Sequence, residues 1–329
     1  MARSILKGAL KRGALVAAAN WPVILIQASA DSLFKLLLAV PLLGGVFLVA
    51  LAIGGEPTAI VALESREMVV TIATALRDRP TVLMAFLMAL GVVLVGGSAF
   101  VFLVKAGTVA TLVRSDRDAG PIEDPPLHAG AVARASRFSI DLYVESARSL
   151  FPRYLRLGLL LMAVYVVSGL IYLAAVINRN PTEGWGTTAL ITAAFVGWIT
   201  IVNLAYLLTQ IVVAAENCSV AAALRRGTAF VRRERRHVSA VFLLVLTLVV
   251  VATGASVLAM AALGLVAFVP FFGLAALPLQ LLAWLLRGLV FQYIGLASIG
   301  AYLKLYRGFA STQNRLTPAP AYDHAWRTT

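Results

Sequence analysis

A chain of 329 residues could fold as one or two water-soluble domains, but this one is 60% hydrophobic and only 13% charged. Soluble domains carry roughly 25% charged residues, so the composition excludes an ordinary soluble enzyme and predicts an all-α, polytopic membrane protein. The 28 Lys+Arg against 15 Asp+Glu would suggest nucleic acid in a soluble protein. Here the basic residues flank apolar runs, so anionic lipid headgroups are the expected partner and nucleic acid is not.

The N-terminus is basic, with Arg3, Lys7 and Lys11 four apart in one helical stripe. A signal peptide would end at a small-residue cleavage site after a short apolar core. Instead the chain runs through Trp21-Pro22 to a full span at 33–54, so the segment reads as retained. Those residues make about 33 Å of helix, enough for the hydrocarbon core. Asp31 and Lys35, at i and i+4, are placed to pair. Gly55–Pro80 is a polar loop with a short helix expected over Ala59–Leu76. The second span is 81–104. Residues 105–154 read as a cytoplasmic loop whose middle, rich in Pro and acids, cannot be helical throughout. In its second half Arg134, Arg137, Asp141, Glu145 and Arg148 recur at helical spacing. They predict one charged stripe with internal ion pairs, opposite Val132, Ile140, Tyr143, Ala147 and Leu150. The third and fourth spans follow at 155–177 and 187–214, joined by a short connector with Pro181 and Gly184.

Glu216–His237 is the most basic stretch. Ser219 is placed to cap a helix. On that helix Val220, Leu224, Gly227 and Val231 share one face, while Arg225, Arg226, Arg232, Arg233 and Arg236 fall opposite. Such a basic amphipathic helix suits a membrane interface, and these five arginines are the expected lipid- or partner-binding residues. From His237 through Leu286 there is no Asp, Glu, Lys or Arg. The run is too long for one crossing, so it must turn, with Gly264, Pro270, Gly273 and Pro278 as breakers. The fifth and sixth spans are placed at 238–263 and 279–303, with Val266–Ala276 as an apolar turn that dips into the membrane. Residues 304–329 form a polar tail.

If the N-terminus, the second and fourth loops and the tail share one side, that side holds 23 Lys/Arg and the other holds four: Arg66, Arg77, Arg79 and Arg179. The positive-inside bias then places both termini in the cytoplasm, in the cell (inner) membrane, with an even number of spans. A cytoplasmic amphipathic helix followed by a helical hairpin recurs three times, at Arg3–Val104, Ala131–Ala214 and Ser219–Leu303.

No HExxH, P-loop, GxSxG or GxGxxG signature occurs. The three histidines are scattered, and the one cysteine, Cys218, can neither form an internal disulfide nor anchor a zinc site. No catalytic, cofactor or metal residue is therefore expected. Within the spans Arg287 is the intramembrane polar candidate. Asn203, Gln210, Gln280 and Gln292 suit interhelical hydrogen bonding, and Ala252, Ala255, Ser256 and Ala259 form a small-residue stripe. The expected function is a non-enzymatic integral membrane subunit or scaffold, docking other membrane proteins or a second copy through its basic cytoplasmic helices. The alternative is a transporter, channel or lipid-handling protein with a path near Arg287.

At Glu216-Asn-Cys-Ser219-Val-Ala-Ala-Ala-Leu224-Arg225-Arg226, leading to Phe230-Val231-Arg232, the chain resembles bacterial six-span membrane proteins of poorly characterised function. They include the membrane region attached to some glycerophosphodiester phosphodiesterases, where an acid-Ser-AlaLeuArg helix also leads into a span. The resemblance covers about 40 residues and implies a multispan helical fold. It transfers no catalytic residue, because the hydrolase domain has no counterpart in these residues.

Overall fold

The computed structural model describes residues 2–53, 74, 80–124, 129–177, 185–267 and 272–316, and all regular structure among them is helical. The helices are α1 (Ala2–Ala19), α2 (Trp21–Ile53), α3 (Pro80–Asp118), α4 (Ala129–Ala135) and α5 (Ile140–Ile177). They continue with α6 (Trp185–Glu216), α7 (Val220–Arg233), α8 (Arg235–Ala267) and α9 (Phe272–Leu316). Six of them, α2, α3, α5, α6, α8 and α9, are long and apolar enough to cross a membrane. The protein is thus an all-α, polytopic membrane protein. The first apolar segment, Trp21–Gly45, overlaps the expected span 33–54 only over 33–45, and the other five expected spans overlap the remaining apolar segments.

Several helices outrun the bilayer at one end. The 45 residues of α9 reach about 68 Å against a hydrocarbon core of about 30 Å. This extension corrects the expected loop at 105–154. Lys105–Asp118 continues α3 without a break, and Ile140–Tyr154 is the first part of α5, which runs on through Pro152. The continuous stripe expected from Arg134 to Arg148 is broken as well. Ser136 turns its hydroxyl back onto the Ala133 carbonyl at 3.1 Å, and the Phe138 N–H donates to the Ser136 carbonyl at 2.7 Å. These local bonds compete with the helix ladder, and helix resumes only where the Tyr143 N–H reaches the Ser139 carbonyl at 3.0 Å. Asp141, Glu145 and Arg148 make none of the expected ion pairs within 4 Å among the described residues. The opposite face does pack from Tyr143 onward, through Ala147 and Leu150, whereas Ile140 stays exposed. Of the expected apolar turn, Val266 and Ala267 close α8 and Phe272 opens α9, while 268–271 lie outside the described residues. The short helix expected over Ala59–Leu76 also lies outside them, apart from Thr74.

Packing divides the chain into two units, Ile26–Lys105 and Met1–Leu25 with Ala106–Thr329. In the first, two phenylalanines each lie against a glycine on the facing helix. A Cβ at Gly45 would run into the Phe86 ring, and one at Gly97 would meet Phe34 at 2.5 Å. Asp31 and Lys35 pair at 3.5 Å, as their spacing predicts.

In the second unit, burial is confined to one end of the helices. On α5 no residue after Gly158 is buried, and on α6 burial begins only at Tyr206. On α8 it is limited to Val238 and Val241, and on α9, among residues 278–313 whose burial is described, it starts at Leu296. The other halves of these spans stay open to their surroundings. At the buried end α1 lies directly on α9: a Cβ at Gly13 would stand 2.6 Å from the Ala301 nitrogen, and one at Gly300 would stand 2.8 Å from the Gly13 Cα. Only glycine permits that approach.

Candidate functional site

The polar chemistry of the larger unit gathers at the same end, in two places. The first is a buried charge cluster. Arg12 comes from the middle of α1 and Asp116 from the last turn of α3. Glu123 follows in a turn opened by Gly120 at φ +63°, and Lys304 and Arg307 come from the end of α9. All three nitrogens of the Arg12 guanidinium are engaged. Its Nε donates to Asp116 Oδ1 at 2.5 Å and its Nη2 to the Asp116 carbonyl at 2.6 Å. Its Nη1 reaches both the Gly120 carbonyl at 2.6 Å and Glu123 Oε2 at 2.7 Å. Arg307 pairs with the other Asp116 oxygen and donates to the Val113 carbonyl at 2.8 Å. Lys304 pairs with Glu123, and Lys11 donates to the Glu123 carbonyl at 2.8 Å.

Asp116 is 1% exposed, so its charge is tolerable only because two guanidinium groups neutralise it. Burial alone would raise the Glu123 carboxyl, but its bonds to Lys304 and Arg12 outweigh that and hold it below the usual glutamate range. For Arg12 burial opposes the charge, and the two acids more than offset it, so the guanidinium is held above its ordinary value. Beside the cluster Asn20, fully buried, donates to Ser115 Oγ at 2.7 Å and to the Ala135 carbonyl at 3.1 Å. Together these bonds join α1, α3, α4 and α9. Each charged group is occupied by another, so the arrangement fastens helices.

The second place is α7. Ser219 caps it as expected, accepting from the Ala222 N–H at 3.4 Å. Its packed face differs from the expected one. Ala223, Gly227 and Phe230 are buried, whereas Leu224 is 44% exposed. Phe230 decides the rotation, because its ring stands edge-on to Tyr306 at 5.4 Å and lies 5.5 Å from Phe309. An aromatic ring buries more area than Val or Leu and gains from edge contacts. Consequently the Ala223, Gly227 and Phe230 side of α7 is spent on the protein itself.

The arginines face outward. Arg226 pairs with Glu216, which also accepts from the Tyr306 hydroxyl. Arg225, Arg232, Arg233, Arg235 and Arg236 are exposed and have no acid within 4 Å among the described residues. The helix stops at Arg233, where the Glu234 N–H donates to the Phe230 carbonyl at 2.8 Å, so Arg236 stands on the first turn of α8. Just before α7, Asn217 takes φ 50° and holds Arg153, and Arg117 caps the Ala215 carbonyl at 2.9 Å. Cys218 lies in this turn. Burial pushes its thiol up, which lowers its thiolate fraction.

Arg287 is exposed on α9, its guanidinium 5.7 Å from the Phe291 ring centroid, with no acid within 4 Å among the described residues. Gln210 is buried, and its backbone carbonyl accepts from the Tyr154 hydroxyl at 2.9 Å. Asn203 accepts from Tyr165 at 2.5 Å. Of the small-residue stripe, Ala252 and Ser256 are half-buried and Ala255 and Ala259 are exposed. Among the described residues no group of three His, Cys, Asp or Glu side chains could hold a metal ion.

The sequence reading missed the charge cluster. Arg12, Lys304 and Arg307 count in the sequence only among the membrane-flanking positive charges, Glu123 belongs to the acid-rich linker, and Asp116 is not singled out. Compared with known protein families, with curated proteins and with solved structures, the chain matches none.

Proposed function

We propose that this protein is a non-enzymatic subunit or scaffold of the cell (inner) membrane, with both termini cytoplasmic, that docks a partner through the arginine face of α7 and the first turn of α8. One observation carries this reading. Phe230 of α7 is buried against Tyr306 and Phe309, with Ala223 and Gly227 buried on the same side, while Arg225, Arg232, Arg233 and Arg236 are exposed with no acid within 4 Å among the described residues. A helix that merely floated in the interface would keep its apolar face for the lipid. Here the arginines are displayed from a fixed base, which favours recognition of an acidic surface. Arginine forks suit bidentate bonding to carboxylate or phosphate. The orientation rests on the Lys/Arg count, 23 against four.

Anionic headgroups offer related chemistry, and each arginine near such a leaflet adds about 1 kcal/mol. The test is gentle detergent extraction from native membranes through a C-terminal tag, followed by mass spectrometry of what co-migrates. Stoichiometric partner proteins, lost when Arg225, Arg232, Arg233 and Arg236 are replaced by Gln, support docking. A protein that purifies alone with a specific solute would replace this reading with transport, and Arg287 would become the residue to change.

A further inference from the structure

The outer halves of α5 and α6 pack on each other and on little else, and their seam carries polar groups at bilayer depth. Asn203 lies near the middle of the span Gly186–Glu216 and is exposed. Its Oδ1 accepts from the Tyr165 hydroxyl at 2.5 Å, but its Nδ2 meets no acceptor among the described residues. Further out, the Tyr172 hydroxyl meets Thr192 Oγ1 at 3.1 Å. An open groove of about 600 Å³ runs along this flank, lined by Thr188, Ala189, Thr192, Ala193 and Val196. At 100° per residue, Ala189, Thr192, Val196 and Asn203 fall within about 60° of one another. The amide and the groove therefore share one face.

We propose that this face is the contact through which two copies of the chain associate inside the membrane. Hydrocarbon supplies no acceptor for the Asn203 amide, and an unmet donor there is costly. A lipid tail could fill the groove but could not bond the amide. A second copy does both. The Asn203 side chain is self-complementary, with two N–H donors unmet and a lone pair on Oδ1 still open. About a twofold axis each Nδ2 donates to the other copy's Oδ1, as an isologous interface requires. Ala189 and Ala193 let the two α6 backbones come close. This contact lies in the membrane and is separate from the arginine face, so either can fail without the other.

The lone cysteine makes the test direct. In a Cys218→Ser background, Val196→Cys is introduced into the full chain and native membranes are oxidised with copper phenanthroline. A disulfide-linked band at twice the 34.9 kDa monomer is expected. Ile201→Cys, 62% exposed on the far side of α6, is the control and should stay monomeric. Adding Asn203→Val should lower the dimer association constant, titrated by diluting the protein in lipid, roughly tenfold, as expected for one or two lost interhelical hydrogen bonds. No dimer at Val196→Cys, equal linking at Ile201→Cys, or a cross-link to a different protein would each overturn the proposal.

Discussion

Asp116→Ala removes the acid at the centre of the buried cluster and leaves Arg12 and Arg307 facing each other. Breaking a buried pair by deleting one partner costs about 3–5 kcal/mol. The lower end applies here, about 3 kcal/mol, because Arg12 keeps Glu123 and Arg307 is 31% exposed. The matched control is Lys35→Ala, since Lys35 is 67% exposed and 3.5 Å from Asp31. An exposed pair of that kind is worth about 0–1 kcal/mol. Both variants are unfolded in mixed micelles by added SDS, with labelling of the half-buried Cys218 thiol as the signal. A cycle with Arg12→Ala should give a coupling of about 1–3 kcal/mol, as for residues sharing one network. If Asp116→Ala costs no more than Lys35→Ala, the cluster does not hold α1, α3 and α9 together, and its acids are ordinary surface charges.

Four further outcomes follow from the same geometry. Because Glu123 is held below the usual glutamate range, its ion pairs stabilise the fold above that range and are lost as pH falls through it, about 4.3, and then through the lower folded value. Wild type should therefore exceed Glu123→Gln in stability near neutral pH and converge with it on acidification; a constant gap would refute the linkage. Gly13→Ala should cost about 1–3 kcal/mol in the same unfolding assay, since its methyl meets α9 backbone that cannot yield. Phe230→Ala should cost about 3–5 kcal/mol by leaving a cavity against Tyr306 and Phe309, and should loosen α7 towards proteolysis. Arg287→Met should leave unfolding and partner recovery unchanged, because the side chain is exposed and meets only the Phe291 ring.

The spans were legible in the sequence because hydropathy acts over some twenty residues at a time and needs no knowledge of neighbours. The cap at Ser219 and the pair Asp31–Lys35 were legible for a related reason, since both are contacts within one helical turn. What escaped is what depends on which helices meet. Lys105–Asp118 carries enough charge to resemble a loop, yet it stays helical because Arg12 and Arg307 come from far along the chain to neutralise Asp116. The α7 face was misplaced by about one position for the same reason. Periodicity alone favours Val220, Leu224 and Val231, and nothing local announces that Tyr306 and Phe309 will stand opposite Phe230.

Charge counting is the most instructive case. It treats every Lys and Arg on the basic side alike, whereas the structure separates them into two populations. Arg12, Lys304 and Arg307 are consumed by Asp116 and Glu123, and Arg226 by Glu216. Arg225, Arg232, Arg233 and Arg236 have no such acid among the described residues. The first group is exchanged for rigidity at the end where the helices meet, and the second stays available to something outside the chain. Neutralising one population should therefore change stability without changing docking, and neutralising the other should do the reverse. A set of variants in which the two effects cannot be separated would remove the physical basis for calling the α7 face a docking surface.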